Sequence, residues 1–287
     1  MTAEIIDGKA VAVSERERIA AEVAELGRRD VVCGLAPVLV GDDPASHVYV
    51  DQKERMCQKV GMRALGTRLP ADVTQAQLHA EIDRLNADPA VSGIVVQLPL
   101  PDHLEPLAAQ ERVEPAKDVD GLHPINAGRL LRGDPGFVPA TPLGIVTLLA
   151  HAGVPLAGAH AVVVGRSSLV GRPLASLLSL RHHNATVTVC HTGTPSLQTH
   201  TRQGDVVVVA AGSANALTAD MVQPGAAVVD VGIHRAENGS LYGDVDFAGV
   251  AEVAGHITPV PGGVGPMTVT MLLSSTARAA RWQAGEG

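Results

Sequence analysis

Ala161-Val162-Val163-Val164-Gly165-Arg166-Ser167-Ser168-Leu169-Val170-Gly171-Arg172-Pro173 decides how this chain is read. Its apolar run makes a buried strand, a glycine ends it, and Arg172-Pro173 opens a helix expected to end near His182. Strand, glycine turn and helix form the layout of a dinucleotide-binding unit. A helix N-terminus behind a buried strand presents free N–H groups and is an anion site. The spacing departs from Gly-x-Gly-x-x-Gly: Ser167 stands at the second glycine's place, and the last glycine falls one residue late.

Downstream, Thr186–Cys190 reads as the next strand and ends in His191-Thr192. An acidic residue for a ribose hydroxyl is expected near such an end. None lies between Pro135 and Gly204, whereas Arg166, Arg172, Arg181 and Arg202 do. That field welcomes an anionic 2′-phosphate and favours NADP over NAD; the alternative is that these arginines form a solvated face. Asp205–Ala210, Ala226–Val231 and His256–Val260 read as further strands. Pro261-Gly262-Gly263-Val264-Gly265-Pro266 offers exposed N–H groups and little side-chain bulk, suited to close approach by a ligand. A final helix is expected over about Pro266–Trp282, with a frayed tail after it.

Upstream, strands and helices alternate again, which implies a parallel sheet. A helix covers Lys9–Arg29. Strands are expected at Leu35–Val40, Met62–Leu69 and Gly93–Gln97, and a helix at Thr74–Asn86. Between the first two strands, Ser46 is a candidate N-cap and Gly61 a C-terminal stop. On that helix Tyr49 and Lys53 are four apart, so their Cβ atoms stand roughly 5–6 Å apart. Met56, Cys57 and Val60 are expected to continue the same stripe. A lysine on a core-facing stripe needs water, a carboxylate or a ligand; the alternative is that Lys53 snorkels out and Tyr49 covers the core. Gln97 ends a buried strand, where parallel sheets hold ligands, or else it meets solvent there. Lys117-Asp118-Val119-Asp120-Gly121 reads as an acidic turn. Gly133-Asp134-Pro135-Gly136 is a second turn, and Thr141-Pro142 is expected to open a helix to about His151. The domain boundary is placed there.

The chain has 287 residues, enough for two domains, and aromatics are 2% of it. Its core is therefore aliphatic, as in helices packed on a parallel sheet. A net charge of −8 argues against a nucleic-acid or membrane-surface binder. Cys33, Cys57 and Cys190 are scattered without a Cys-x-x-Cys pair, and the histidines show no ligand spacing, so no metal site is expected. No signal peptide and no apolar run of membrane-spanning length is seen, so a soluble, cytoplasmic chain is expected.

Together these motifs resemble the bifunctional methylenetetrahydrofolate dehydrogenase/methenyltetrahydrofolate cyclohydrolase family. The matching segments are 40–46 with Tyr49 and Lys53, Val96–Pro101, Lys117–Gly121, Gly165–Ser167 with Val170–Pro173, and Pro259–Thr268. The resemblance implies an N-terminal α/β catalytic domain (1–139) that binds folate and is rejoined by the C-terminal helix (about 266–287). It implies a Rossmann-like NADP-binding domain at 140–265. It implies oxidation of 5,10-methylenetetrahydrofolate by NADP, then hydrolysis to 10-formyltetrahydrofolate, in a cytoplasmic homodimer. By carry-over Tyr49, Lys53 and Gln97 are catalytic. Tyr49, Asp120, Pro261, Gly262 and Gly263 bind folate, and Gly165, Arg166, Ser167, Thr192 and Ile233 hold the cofactor. Two positions depart from the family: Ala140 stands where cysteine is usual, and Gly193 where a basic residue is frequent, leaving Arg166 as the main 2′-phosphate contact. A monofunctional dehydrogenase would not need Lys53 and Gln97, and a nucleotide-binding protein without chemistry would not need the Tyr49, Lys53, Gln97, Asp120 set.

Overall fold

The computed structural model describes residues 2–134 and 136–286. Pro135, in the expected turn at 133–136, and Gly287, at the end of the expected tail, lie outside them. In chain order the elements are β1 (Glu4–Ile5), α1 (Gly8–Gly27), β2 (Gly34–Val40), α2 (Pro44–Lys59), β3 (Arg63–Ala64), β4 (Thr67–Leu69), α3 (Gln75–Ala87), β5 (Gly93–Val96), α4 (Pro106–Arg112) and α5 (Pro124–Arg132). Then come α6 (Ala140–His151), β6 (His160–Val164), α7 (Gly171–Ser179), β7 (Thr186–Cys190), α8 (Leu197–Thr201), β8 (Val206–Val209) and β9 (Ala227–Asp230). The chain ends with β10 (His234–Arg235), β11 (Leu241–Tyr242), α9 (Phe247–Ala251), β12 (His256–Ile257) and α10 (Val264–Gln283). Among the described residues no helix is long and apolar enough to cross a membrane.

Two compact units result, Ser14–Ala140 with Val269–Gly287, and Met1–Val13 with Thr141–Thr268. The first holds a parallel sheet in which β2, buried at every residue, pairs with β3 and β4 on one side and β5 on the other. The expected strand at Met62–Leu69 is two short strands, and Pro37 accounts for the gap. Leu65 N donates to Leu35 O at 2.8 Å. Pro37, two residues on along the same edge of β2, has no N–H to return. Pairing resumes where Val38 meets Thr67.

The helix after β2 starts earlier than expected. Its N-cap is Asp43, not Ser46: the Asp43 carboxylate accepts Ser46 N at 2.8 Å, and Pro44 fills the first turn. Gly61 (φ 79°) closes it, with Gly61 N on Gln58 O and Met62 N on Cys57 O, the Schellman pattern. The buried stripe is Ser46, Val50, Cys57 and Val60. Lys53 stands in that same line, seven residues after Ser46 and seven before Val60, and is half-buried. Tyr49 is not on the stripe; it is 52% exposed on the adjoining face. In α3, Thr74 and Gln77 form a capping box, and Leu78, Ile82 and Leu85 enter the core.

This unit also contains three of the chain's few large aromatic and cationic contacts. The Phe137 and Trp282 rings lie 5.1 Å apart, and the Arg278 guanidinium sits 4.9 and 4.8 Å from their centres. Arg278 Nη2 donates to Gly136 O at 2.8 Å.

The second unit holds six parallel strands in the order β7-β6-β8-β9-β12-β1. β1 was not visible in the sequence, which grouped residues 1–13 with the first domain; Glu4 and Ile5 instead pair with His256 and Ile257. α6 begins at Ala140, and Thr141 is not its N-cap: Thr141 Oγ1 shares a hydrogen bond with Thr268 Oγ1 at 3.1 Å. α7 ends at Ser179 rather than near His182, because Asn184 turns back with φ 57° and Ala185 N bonds Leu178 O. The β10–β11 hairpin was likewise unread.

Phe137 is the largest fully buried side chain. Phe137→Ala is expected to destabilise the protein by about 3–5 kcal/mol. Trp282, the single tryptophan, reports the loss directly in urea unfolding followed by fluorescence; an unchanged midpoint would show that the cluster adds nothing.

Candidate active site

In each unit the sheet's strand order reverses beside one interior strand. β2 has β4 on one flank and β5 on the other; β6 has β7 on one flank and β8 on the other. A crevice forms outside the carboxyl ends at such a switch point, and ligands bind there. The expected site residues group accordingly.

At the β2/β5 switch point, Lys53 Nζ donates to Gln97 Oε1 at 2.8 Å. Gln97 is buried at 9% exposure, and its Nε2 donates to Leu98 O at 2.6 Å. A carbonyl only accepts, so this second bond fixes which end of the Gln97 amide faces Lys53. Burial draws the Lys53 pKa below the ordinary lysine value, and the negative charge of Asp120 pulls it back up. Asp120 is shifted upward by burial, against the attraction of Lys53 and with the repulsion of Asp118. The pair thus holds an amine and a carboxyl whose charged forms are both disfavoured by desolvation and favoured by each other. Tyr49 stands one turn before Lys53, with its ring half in solvent.

The turn carrying Asp120 is built by neighbours that the sequence reading left as an undifferentiated acidic loop. Lys117 is buried and donates to Leu85 O, Asn86 O and Asp88 O at 3.2, 2.7 and 2.8 Å. It therefore caps the end of α3, where a cation is favoured. The Asp118 carboxylate accepts Leu122 N, His123 N and Asn126 Nδ2. Only Asp120, of the three charged residues, is left to face Lys53. The signal was present in the alternation of charged residues through an otherwise buried pentapeptide.

At the β6/β8 switch point, Gly165 (φ 126°) lies so close to Ala210 O that no side chain fits. Arg166 and Ser167 follow it, both exposed. Ser167 Oγ accepts Val170 N at 3.1 Å, closing the turn into α7. Thr192 follows β7 and is exposed; Ile233 follows β9 and is 58% exposed. No acidic side chain stands at the end of β7. In the same unit Gly262 (φ 115°) and Gly263 are buried beside the exposed Pro261, with Lys9 Cε over Gly262.

A glycine pressed on backbone, the amides of α7 and an exposed arginine make a cradle for a phosphate-bearing dinucleotide. Family models match over nearly all of the chain: the catalytic domain of tetrahydrofolate dehydrogenase/cyclohydrolase over residues 6–120, and its NAD(P)-binding domain over residues 139–284. The chain belongs to the tetrahydrofolate dehydrogenase/cyclohydrolase family. The family likeness extends to the bifunctional protein FolD of Paraburkholderia xenovorans, 55% identical over 99% of both chains. Among solved structures, the bifunctional FolD enzyme of Campylobacter jejuni is 46% identical, with a TM-score of 0.94 over 97% of this chain and 99% of that one. The Trypanosoma brucei FolD, complexed with NADP cofactor and inhibitor, is 40% identical with a TM-score of 0.92 over 99% of both chains.

Within this family member the Lys53–Asp120 coupling has a testable sign. Asp120→Asn removes the charge that raises the Lys53 pKa, so the pKa falls further and the neutral amine persists to lower pH. The pH at which Lys53 becomes reactive toward an acylating reagent, read by peptide mass, is expected to move down. An upward shift or none would show that the carboxylate does not act on it.

Proposed function

We propose that the two activities of this bifunctional one-carbon enzyme divide between the two groups of residues. The enzyme oxidises 5,10-methylenetetrahydrofolate with NADP to the methenyl cation, and hydrolyses the cation to 10-formyltetrahydrofolate. In this reading Ser14–Ala140 with the C-terminal helix supplies the folate-binding chemistry, and residues 141–268 supply the cofactor cradle. The observation that carries it is the half-buried Lys53, bonded to Gln97 with its pKa held down by burial.

For hydrolysis, the oxygen of water adds to the methenyl carbon and one proton passes to the neutral Lys53 amine. The new ammonium is balanced by Asp120 and by the Gln97 carbonyl. The carbon–N5 bond then breaks, N5 takes a proton from Lys53, and the hydroxyl proton leaves to solvent. The formyl group stays on N10, one proton is released overall, and Lys53 is neutral again. A permanently charged lysine would be repelled by the cationic substrate, so the downward shift suits this step. Asp120 also receives ring donors of the pterin, and Tyr49 lies against the folate ring. NADP, when bound, supplies the hydride acceptor. Gly165, Arg166, Ser167, Thr192 and Ile233 hold it, with Arg166 facing the 2′-phosphate. Hydride transfer needs alignment rather than a proton. A homodimer in the cytoplasm, feeding formyl groups to purine synthesis, belongs to the same proposal and rests on the family likeness.

Lys53→Met keeps the stem and removes the base. General acid–base assistance is worth about 10²–10⁴-fold, so cyclohydrolase activity is expected to fall by that order while NADPH formation persists. Methenyltetrahydrofolate hydrolysed at the wild-type rate by the folded variant would remove Lys53 from the mechanism. Arg166→Ala is expected to lower the preference for NADP over NAD by about 10–100-fold, the loss of one charge-assisted contact. Kinetics with both cofactors decide it, an unaltered ratio placing Arg166 in solvent.

A further inference from the structure

The loops that follow β8 and β9 are tied together by two buried carboxylates that take no part in the chemistry above. Asp230, the last residue of β9, accepts Gly232 N at 2.9 Å, Asp244 N at 2.9 Å and Val245 N at 3.0 Å. Asp244 is 0% exposed. Its Oδ2 accepts Ala211 N at 2.7 Å and Gly212 N at 2.9 Å, and its Oδ1 pairs with His234 Nε2 at 2.7 Å. The packing leaves no slack: a Cβ on Gly232 would run into the Asp244 carboxylate, and one on Gly243 into Asp230. Asp230 thus sets Asp244, and Asp244 sets two loops at once.

Those loops have a defined place. Ala210, Ala211 and Gly212 follow the carboxyl end of β8, and Ala210 O is the atom against which Gly165 is pressed. Gly232 and Ile233 follow the carboxyl end of β9. The first loop therefore edges the crevice at the β6/β8 switch point, and the second lies one strand further on, tied to it through Asp244. Buried hydrogen bonds to a charged acceptor are worth more than neutral ones, and an amide stripped of its partner keeps the full desolvation cost. Two adjacent amides on one oxygen hold a loop in one conformation, with a glycine at φ 66° at its centre.

We propose that Asp244, seated by Asp230 and braced by His234, is the positioning residue of the cofactor cradle. It acts through Ala211, Gly212 and Ile233 and touches no cofactor atom itself. This rests on the reading that NADP occupies the crevice beside Gly165 and Arg166.

The test uses the full-length protein and NADP itself. Asp244→Ala removes all three bonds. Its NADP dissociation constant, by calorimetry, is expected to rise about tenfold or more, with faster amide exchange over residues 210–213. Cyclohydrolase activity, assayed without NADP, should stay within about twofold. Asp244→Asn should restore binding to within about threefold, because its carbonyl can accept both loop amides while its NH2 meets the acceptor tautomer of His234. If Asp244→Ala does not fold, His234→Ala decides: weaker NADP binding by about threefold or more supports the proposal. Binding within twofold of wild type, in whichever of the two variants folds, overturns it. Arg166→Ala separates the two ideas: if it leaves NADP affinity intact while Asp244→Ala weakens it, Arg166 faces solvent and the positioning role of Asp244 stands.

Discussion

A lysine standing where a helix would otherwise place a core residue is the constraint on which the catalytic unit depends. α2 presents Ser46, Val50, Cys57 and Val60 inward, and Lys53 occupies the same line. An ammonium there is tolerable only if something takes its hydrogen bonds and its charge. Gln97 takes one bond and Asp120 answers the charge. Each of these has its own requirement. Gln97 must end a buried strand with Leu98 O in reach; Asp120 must sit in a turn whose other two charged residues are fully occupied. The three carbonyls on Lys117 and the three donors on Asp118 meet that need. One misplaced polar group on α2 thereby accounts for the layout of the β5 end and of the 117–126 segment.

The two units solve different problems with one topology. Each has an interior strand, β2 or β6, flanked by the strands that follow it: β3 and β4 on one side and β5 on the other, or β7 on one side and β8 on the other. In the first unit side chains converge on the gap this leaves, for proton chemistry. In the second, backbone does so: Gly165 and the start of α7. The contrast matches what each ligand group asks for, since proton transfer needs a titratable atom and phosphate needs N–H groups and room.

Much of this was legible in the sequence because buried parallel strands are continuous apolar runs. β2, β5, β6, β8 and β9 were all visible in that way, and the edge strand β7 by its alternation of Thr and Val. Two-residue strands carry no period, so β1, β10 and β11 were invisible. α5 escaped because its N-cap is His123, whose ring nitrogen accepts Ile125 N, outside the usual capping set. The stripe on α2 was misjudged by one position because Tyr49 looks apolar, whereas Ser46 and Val50 settle the phase. The expected Lys53 and Gln97 came from side-chain chemistry on a helix face and at a strand end, and Asp120 from the family resemblance. The carboxylates at 230 and 244 did not, because their partners are backbone amides contributed by distant loops, and no residue type announces an amide that needs an acceptor.

The parallel pairing of β1 with β12 sets an order of events during synthesis. Glu4 and Ile5 are made roughly 250 residues before their partners His256 and Ile257. At about 5–20 residues per second, roughly 250 intervening residues occupy on the order of 10–50 s. For that interval β1 has no strand to pair with; it covers the flank of β12 once β12 has joined β9. β1 is therefore the closing piece of a sheet whose centre was translated long after it.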